Sequence, residues 1–132
     1  MIIAVDFDGI LCENKFPEIG EPKYEVISLV QQLIDKGHEV ILWTTRNGEE
    51  LVAAVDWCAH YGLHFCNVNG PAPSNREEYK HRYPTESRKI YADVYIDDHN
   101  LEYMAKEPCF ARTNVVFYLK KGVKEWKVSE AN

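Results

Sequence analysis

The chain has 132 residues, a formal net charge of −6 and a 45% share of hydrophobic residues. This length is sufficient for one domain with a substantial core and is too short for two. The acidic charge argues against a broad nucleic-acid interface, which would normally be basic, but it is compatible with a small phosphorylated ligand beside a bound cation.

The chain begins with a short strand that ends in acidic residues. Residues 1–5 form a continuous apolar run, which favours a strand buried on both faces of a parallel sheet. The run stops at Asp6-Phe7-Asp8-Gly9. If strand geometry continues, Asp6 and Asp8 project to the same side, roughly 6–7 Å apart. Such carboxylates repel each other unless a divalent cation or a raised pKa relieves them; the alternative is a solvated polar turn.

A connecting segment and a helix are predicted next. Residues 10–22 contain two prolines and a glycine, which favours a loop or a small hairpin. Residues 24–36 have the apolar spacing of an amphipathic helix, and Gly37 is well placed to end it. The apolar face of this helix is formed by Ile27, Val30, Leu33 and Ile34.

The second strand also ends in polar residues. Residues 39–43 predict an apolar strand, closed by Thr44-Thr45-Arg46. Taken alone, Thr44 would satisfy local backbone with its hydroxyl. Arg46 is expected either to reach a substrate anion or to form a surface ion pair.

A second helix and a third strand follow. Asn47 is a candidate N-cap with Glu50 at the capping-box position, and Gly62 is expected to end the helix. Residues 63–68 predict the third strand.

The last third of the chain is less regular. Residues 69–88 are broken by prolines, and a short helix is predicted only for residues 76–82. Residues 91–96 predict a fourth apolar strand, which ends in Asp97-Asp98. Residues 114–119 and 124–128 predict a carboxyl-terminal strand or hairpin at the sheet edge.

The alternation of strands and helices favours an α/β fold with a parallel sheet.

The four cysteines of the chain show no Cys-x-x-Cys spacing, so we expect free thiols in a reduced, cytoplasmic compartment. The amino terminus lacks a basic leader, and its apolar run ends at Asp6. We therefore expect neither a signal peptide nor a membrane span.

The polar strand ends form a recognisable set when they are read in chain order. This set resembles the motifs of the haloacid dehalogenase-like (HAD) phosphohydrolase superfamily: Asp-x-Asp-Gly, a Ser or Thr, a Lys and an acidic pair. The matching positions are Asp6-Phe7-Asp8-Gly9, Thr44, Lys89 and Asp97-Asp98. The resemblance extends to about residue 105. Ile10 is a small departure, and Arg88 is a second candidate for the lysine position.

The resemblance implies a fold. It predicts one HAD-like domain over residues 1–132, built on a three-layer Rossmann-like parallel sheet with helices on both faces. The first and fourth strands lie side by side in this family, which would bring Asp6, Asp8 and Asp97 together. A small flap after the first strand is expected within residues 10–22. Neither that interval nor residues 69–88 is long enough for a cap domain, so the minimal, capless type is expected.

The resemblance also implies a chemistry. Asp6 would attack phosphorus, and Asp8 would protonate the leaving alcohol and then deprotonate water. Thr44 would hold a phosphoryl oxygen, and Lys89 would neutralise developing charge. Thr45 and Arg46 are the candidate substrate-binding residues.

A metal site of oxygen ligands is implied beside this nucleophile. The candidate ligands of the cation are Asp6, Asp8 through its backbone carbonyl, Asp97 and Asp98, with Asp98 a direct ligand or a partner of one. Oxygen ligands without Cys or His favour Mg²⁺.

These roles predict a Mg²⁺-dependent phosphatase. A general acid two residues after the nucleophile favours phosphate release over carbon–halogen cleavage, because a departing halide needs no proton. The expected substrate is a small phosphoester or a phosphorylated polymer end; nucleic acid is disfavoured but open, as is the oligomeric state. The alternative is a non-catalytic phosphate- and metal-binding regulatory module that retains the same site.

Overall fold

A computed structural model describes residues 1–80 and 88–99. Within them the chain is an α/β protein with a parallel central sheet, a two-stranded antiparallel hairpin and three helices. In chain order the elements are β1 (Ile2–Val5), β2 (Cys12–Lys15), β3 (Glu18–Pro22), α1 (Tyr24–Asp35), β4 (Glu39–Leu42), α2 (Gly48–His60), β5 (Asn67–Val68), α3 (Pro73–Tyr79) and β6 (Val94–Ile96).

The central sheet places β1 between two partners. Its strand order is β5-β4-β1-β6, and every pair is parallel. Val5 pairs with Leu42 of β4 on one side and with Ile96 of β6 on the other. The polar residues that follow these three strands are therefore brought to the same edge of the sheet.

Alternate residues of β1 face two different apolar clusters, as the pleat of a strand requires. Ile3 and Val5 pack into the larger cluster with the buried faces of α1 and α2. Ile2 and Ala4 face the smaller cluster, whose other buried members are Ile41, Ala72, Ile90 and Ala92. The predicted burial of the first strand on both faces is confirmed.

Both long helices end where glycine was expected. Gly37 and Gly62 have positive φ angles of 86° and 76°. The Gly37 N–H donates to the Ile34 carbonyl and the next N–H to the Leu33 carbonyl, which is the bonding pattern of a Schellman cap. Asn47 does occupy the N-cap position of α2, but its side chain makes no capping hydrogen bond.

The segment after β1 is a hairpin, which was one of its two predicted forms. Strands β2 and β3 pair antiparallel, with Lys15 opposite Glu18. We call β2, β3 and their turn the flap (residues 12–22). Cys12 lies at its base and is buried with a free thiol.

Several predicted boundaries were wrong. The third strand is reduced to Asn67–Val68, because only these residues pair with β4. The short helix begins earlier than predicted, at Pro73, since a proline needs no hydrogen-bond donor in the first turn of a helix. The predicted strands at 114–119 and 124–128 lie outside the described residues.

No helix in the described part of the chain is both long enough and apolar enough to cross a membrane.

The packing of α1 predicts different costs for the same truncation at two sites. Val30 is fully buried, whereas Val52 on α2 is 61% exposed. We expect Val30→Ala to lower the free energy of unfolding by about 2 kcal/mol, because it removes buried methyl groups and leaves a cavity. Val52→Ala should change it by less than about 0.5 kcal/mol. Urea unfolding of both variants checks this, and equal losses would contradict the packing described.

Candidate functional site

The acidic residues at the ends of β1 and β6 form one cluster. The Asp6 N–H donates to the Ile96 carbonyl (2.9 Å), which continues the β1–β6 pairing past the end of β1. One carboxylate oxygen from each of Asp6, Asp97 and Asp98 lies within 4.8 Å of the other two. We call these three residues the acidic cluster. The expected neighbourhood of the first and fourth predicted strands is thus confirmed.

Like charges and burial act strongly on Asp6. Burial, followed by the charge of Asp97, raises the pKa of Asp6 to about 8 from 3.8. The Phe7 N–H donates to Asp6 Oδ1 (2.8 Å) and opposes this rise only in part. An anion held among anions at a buried edge favours uptake of a proton or of a cation.

Asp98 supplies a second sign that the cluster suits a cation. Its Oδ1 is buried and accepts no hydrogen bond within the described residues. His99 Nε2 lies 3.9 Å from this oxygen, which is beyond hydrogen-bonding distance. Three carboxylates, one with an unsatisfied oxygen, fit a hard divalent cation that takes oxygen ligands.

The side chain of Asp8 lies apart from this cluster. Its two oxygens accept from Arg46 Nη2 and Nε, each at 2.8 Å. Asp8 comes three residues after the end of β1, so the strand alternation expected for Asp6 and Asp8 does not extend to it. The role of its backbone carbonyl as a ligand stays a prediction.

Arg46 is buried and only 2% exposed. It also donates to the Pro17 carbonyl (3.1 Å), to the Glu18 carbonyl (3.0 Å) and, at 3.5 Å, to the Glu50 carbonyl. The bond to Asp8 raises the pKa of Arg46 above its usual value. The ion pair anticipated for Arg46 is therefore present, but it is buried and not on the surface.

Thr44 lies at the end of β4 and is bound to its surroundings. Its Oγ1 accepts from the Arg46 N–H (3.1 Å), and its own N–H donates to Asn69 Oδ1 (2.8 Å). An accepting hydroxyl still has a proton to donate. Thr44 can therefore satisfy local backbone and also donate to a ligand oxygen.

A cavity of about 650 Å³ opens over the edge of the sheet. It is lined by Asp6, Asp8, Asn14, Phe16, Trp43, Thr44, Thr45, Asp97, Asp98 and His99. Six of these were predicted as site residues. Arg46 and Lys89 do not line it, and Lys89 is exposed, as is Arg88.

Sequence reasoning missed the residues that surround these acids. Asn14 and Phe16 come from the flap, and their place in the cavity depends on the fold of the hairpin. Asn69 has a left-handed φ of 51°. Asparagine tolerates that conformation better than most residues. An asparagine directly after a predicted strand was therefore the signal that could have indicated a turn at this position.

Gly9 allows the close approach of two loops. Its φ is +86°, and a Cβ at this position would overlap the carboxylate of Asp98. Lys23 Nζ donates to the Gly9 carbonyl (2.9 Å) and holds this turn from the other side. The Gly in the first motif thus makes room for the acidic cluster.

These features define an α/β protein with a carboxylate cluster at the carboxyl edge of a parallel sheet. A solved structure described as that of a conserved protein coded by a locus from Bacteroides thetaiotaomicron is similar, with 35% identity and a TM-score of 0.68. The match covers 92% of this chain and 89% of that one, so the chain belongs to the same family as that protein. No family model matches the chain, and neither does any curated protein.

The raised pKa of Asp6 predicts that stability falls as the pH rises. Between about pH 4 and about pH 8 the folded protein keeps a proton on Asp6 that the unfolded chain has released, so the free energy of unfolding decreases across this window. Urea unfolding in chelator should give a lower midpoint near the upper end of the window, and Asp6→Asn should lose most of this dependence. An equal pH dependence in both proteins would show that Asp6 is not the group responsible.

The close approach at Gly9 predicts a loss that exceeds the cost of its backbone conformation. Gly37 has the same φ of +86° but has no atom within 4 Å of its Cβ position. Gly37→Ala should cost roughly 1–2 kcal/mol from backbone strain. Gly9→Ala should cost about 1–3 kcal/mol more, because the methyl group displaces Asp98. Chemical denaturation of the two variants measures the difference, and matching losses would rule out the steric contact.

Proposed function

We propose that this protein is a Mg²⁺-dependent phosphatase of the HAD type, which hydrolyses a phosphomonoester through an aspartyl-phosphate on Asp6. The observation that carries the proposal is the convergence of Asp6, Asp97 and Asp98 at a cavity that Asp8 and Thr44 also line. A nucleophile, a second acid, a hydroxyl donor and a cation site are the groups this reaction needs.

The first step transfers the phosphoryl group to the protein. An Asp6 carboxylate oxygen attacks phosphorus, the bond from phosphorus to the ester oxygen breaks, and Asp8 gives that oxygen a proton. Asp8 uses one lone pair on each oxygen for Arg46, which leaves further lone pairs directed elsewhere. Since Asp8 lines the cavity, a proton on it is within the space that a substrate would occupy.

The second step restores the enzyme. Asp8 takes a proton from water, the resulting hydroxide attacks phosphorus, and the bond between Asp6 and phosphorus breaks to release inorganic phosphate. The Thr44 hydroxyl donates to a phosphoryl oxygen in both steps. Its accepting bond from the Arg46 N–H orients the hydroxyl for this task.

The acidic cluster supports the proposed requirement for a cation. Asp6 must be ionised to attack, yet burial and Asp97 hold its pKa at about 8 when no cation is bound. Asp6, Asp97 and Asp98 are the side chains proposed to hold Mg²⁺, with the Asp8 carbonyl as a further ligand. When bound there, Mg²⁺ would supply positive charge that keeps Asp6 ionised and screens the phosphate.

The candidates for the lysine of the family pattern lie away from the cavity lining. Lys89 and Arg88 are both exposed, and neither lines the cavity. For Lys89 to neutralise developing charge, the segment before β6 has to bring its side chain over the site. Thr45 lines the cavity and remains a proposed substrate-binding residue.

The proposal includes the finer features of the fold. We infer a Rossmann-like, three-layer arrangement without a cap domain, because the flap is a plain hairpin and α3 has only 7 residues. An uncapped site is open to a small phosphoester or to a phosphorylated polymer end, and the net charge of −6 disfavours nucleic acid. Free thiols at Cys12, Cys58 and Cys66 support a reducing, cytoplasmic setting.

Two observations favour the alternative, a non-catalytic binding module. Both oxygens of Asp8 are engaged by a buried arginine, and Lys89 lies outside the cavity. A module of this kind would bind Mg²⁺ and phosphate but would not turn over. Hydrolysis of para-nitrophenyl phosphate with Mg²⁺ and with chelator separates the two functions.

The proposed roles predict unequal losses in two variants. Asp6→Asn should abolish Mg²⁺-dependent turnover, because an amide cannot form the acyl phosphate. Asp8→Asn should slow turnover by roughly 100- to 10,000-fold, the range usual for a general acid. The measurement is steady-state kinetics over a panel of nucleotides, sugar phosphates and phosphopeptides.

Asp56→Asn provides the matched control, since Asp56 is exposed on α2. It should keep wild-type rates. If Asp6→Asn retained near-wild-type phosphatase activity, the nucleophile would be wrongly assigned.

A further inference from the structure

We propose that Arg46 is a positioning residue. It orients the Asp8 carboxylate and holds the tip of the flap, so that the carboxylate and the flap tip move as one unit. The role for Asp8 rests on the proposed function, whereas the link between Asp8 and the flap stands on geometry alone. Arg46 does not line the cavity, so it acts through the groups that it holds.

The contact with Asp8 has the geometry of a rigid clamp. Two nitrogens of one planar guanidinium each donate to a different carboxylate oxygen at 2.8 Å. Such a bidentate pair sets both the position and the plane of the carboxylate, which a lysine ammonium cannot do. The pair is also shielded, since the side chains of Arg46 and Asp8 are only 1% and 15% exposed.

The contact with the flap uses the remaining donors. Nη1 and Nη2 reach the carbonyls of Pro17 and Glu18 at the turn between β2 and β3. The guanidinium also lies between two rings, 5.1 Å from the centroid of Phe7 and 5.0 Å from that of Phe16. These contacts hold the flap against the same side chain that orients Asp8.

The donor count shows why Arg46 is not free for a substrate. A guanidinium has five N–H groups. Asp8, Pro17, Glu18 and Glu50 together supply five acceptor contacts for Arg46. A substrate phosphate could accept a hydrogen bond from Arg46 only by displacing one of these acceptors.

This arrangement connects substrate contact to proton transfer. Phe16 and Asn14 of the flap line the cavity, and Phe16 is 57% exposed. A substrate that packs on Phe16 contacts the residue next to Pro17, and Arg46 holds the carbonyls of Pro17 and Glu18. The Asp8 carboxylate is therefore aimed correctly only when the flap is in place.

The test is a double-mutant cycle of Arg46→Lys and Asp8→Asn, with Mg²⁺ present. We compare kcat/KM for an alkyl phosphate, whose leaving group needs a proton, with that for an aryl phosphate of an acidic phenol, which needs it far less. Arg46→Lys should lower the alkyl value by roughly 10- to 100-fold, because a misaimed acid loses much of its contribution. The aryl value should fall much less.

The double-mutant cycle distinguishes a loss of Asp8 orientation from a general disruption of the structure. In the Asp8→Asn background, Arg46→Lys should cause little further loss, since residues that act as a unit are non-additive. Arg76→Lys on α3 makes the same chemical change away from the cavity and should leave both rates unchanged. Equal losses for the two substrates, or additive losses in the cycle, would overturn the proposal.

A second measurement needs no activity. Asp8→Asn should speed amide hydrogen exchange at the flap tip, residues 15–19, by more than about tenfold, because it releases Arg46 from its clamp. If Asp8→Asn leaves the tip unchanged, Arg46 does not couple the two. A wild-type protein that hydrolyses no phosphoester would refute the proposed function, and the exchange result would still decide the coupling. If Arg46→Lys fails to fold, the exchange result likewise decides.

Discussion

Repulsion among three carboxylates at the tips of neighbouring strands is the constraint on which this site depends. The hydrogen bonds between β1 and β6 continue to the Asp6 N–H, so the strands cannot separate to relieve it. The remaining ways to lower the energy are a proton or a cation. Burial, followed by the charge of Asp97, raises the pKa of Asp6 to about 8, and Asp98 Oδ1 accepts no hydrogen bond within residues 1–80 and 88–99.

Two aspartates that are two residues apart meet opposite surroundings. Asp6 faces like charges, whereas Asp8 faces a guanidinium that β4 and its following loop deliver. Opposed environments of this kind are how proteins give different chemical tasks to identical side chains. The division arises because the chain leaves β1 at Val5 and turns, which sends the two carboxylates in different directions.

Prediction from the sequence succeeded where the signal was local. The apolar run before Asp6, the spacing of α1 and the glycines after both long helices reflect side-chain periodicity and backbone freedom. It failed where a boundary depends on pairing. Residues 63–66 are as strand-like as their successors, yet the ladder with β4 contains only Asn67–Val68, and that pairing is absent from the local pattern.

The chain alone determined that polar groups follow three apolar strands in a set order, because hydrophobic period and chain order are local properties. Which of these groups become neighbours depends on how the strands pair in three dimensions. Arg46 and Asp8 are separated by 38 positions, and their pairing arises because β4 and β1 lie side by side. Contacts between positions so far apart in the chain are set by how the strands pack, and a local sequence pattern does not encode them.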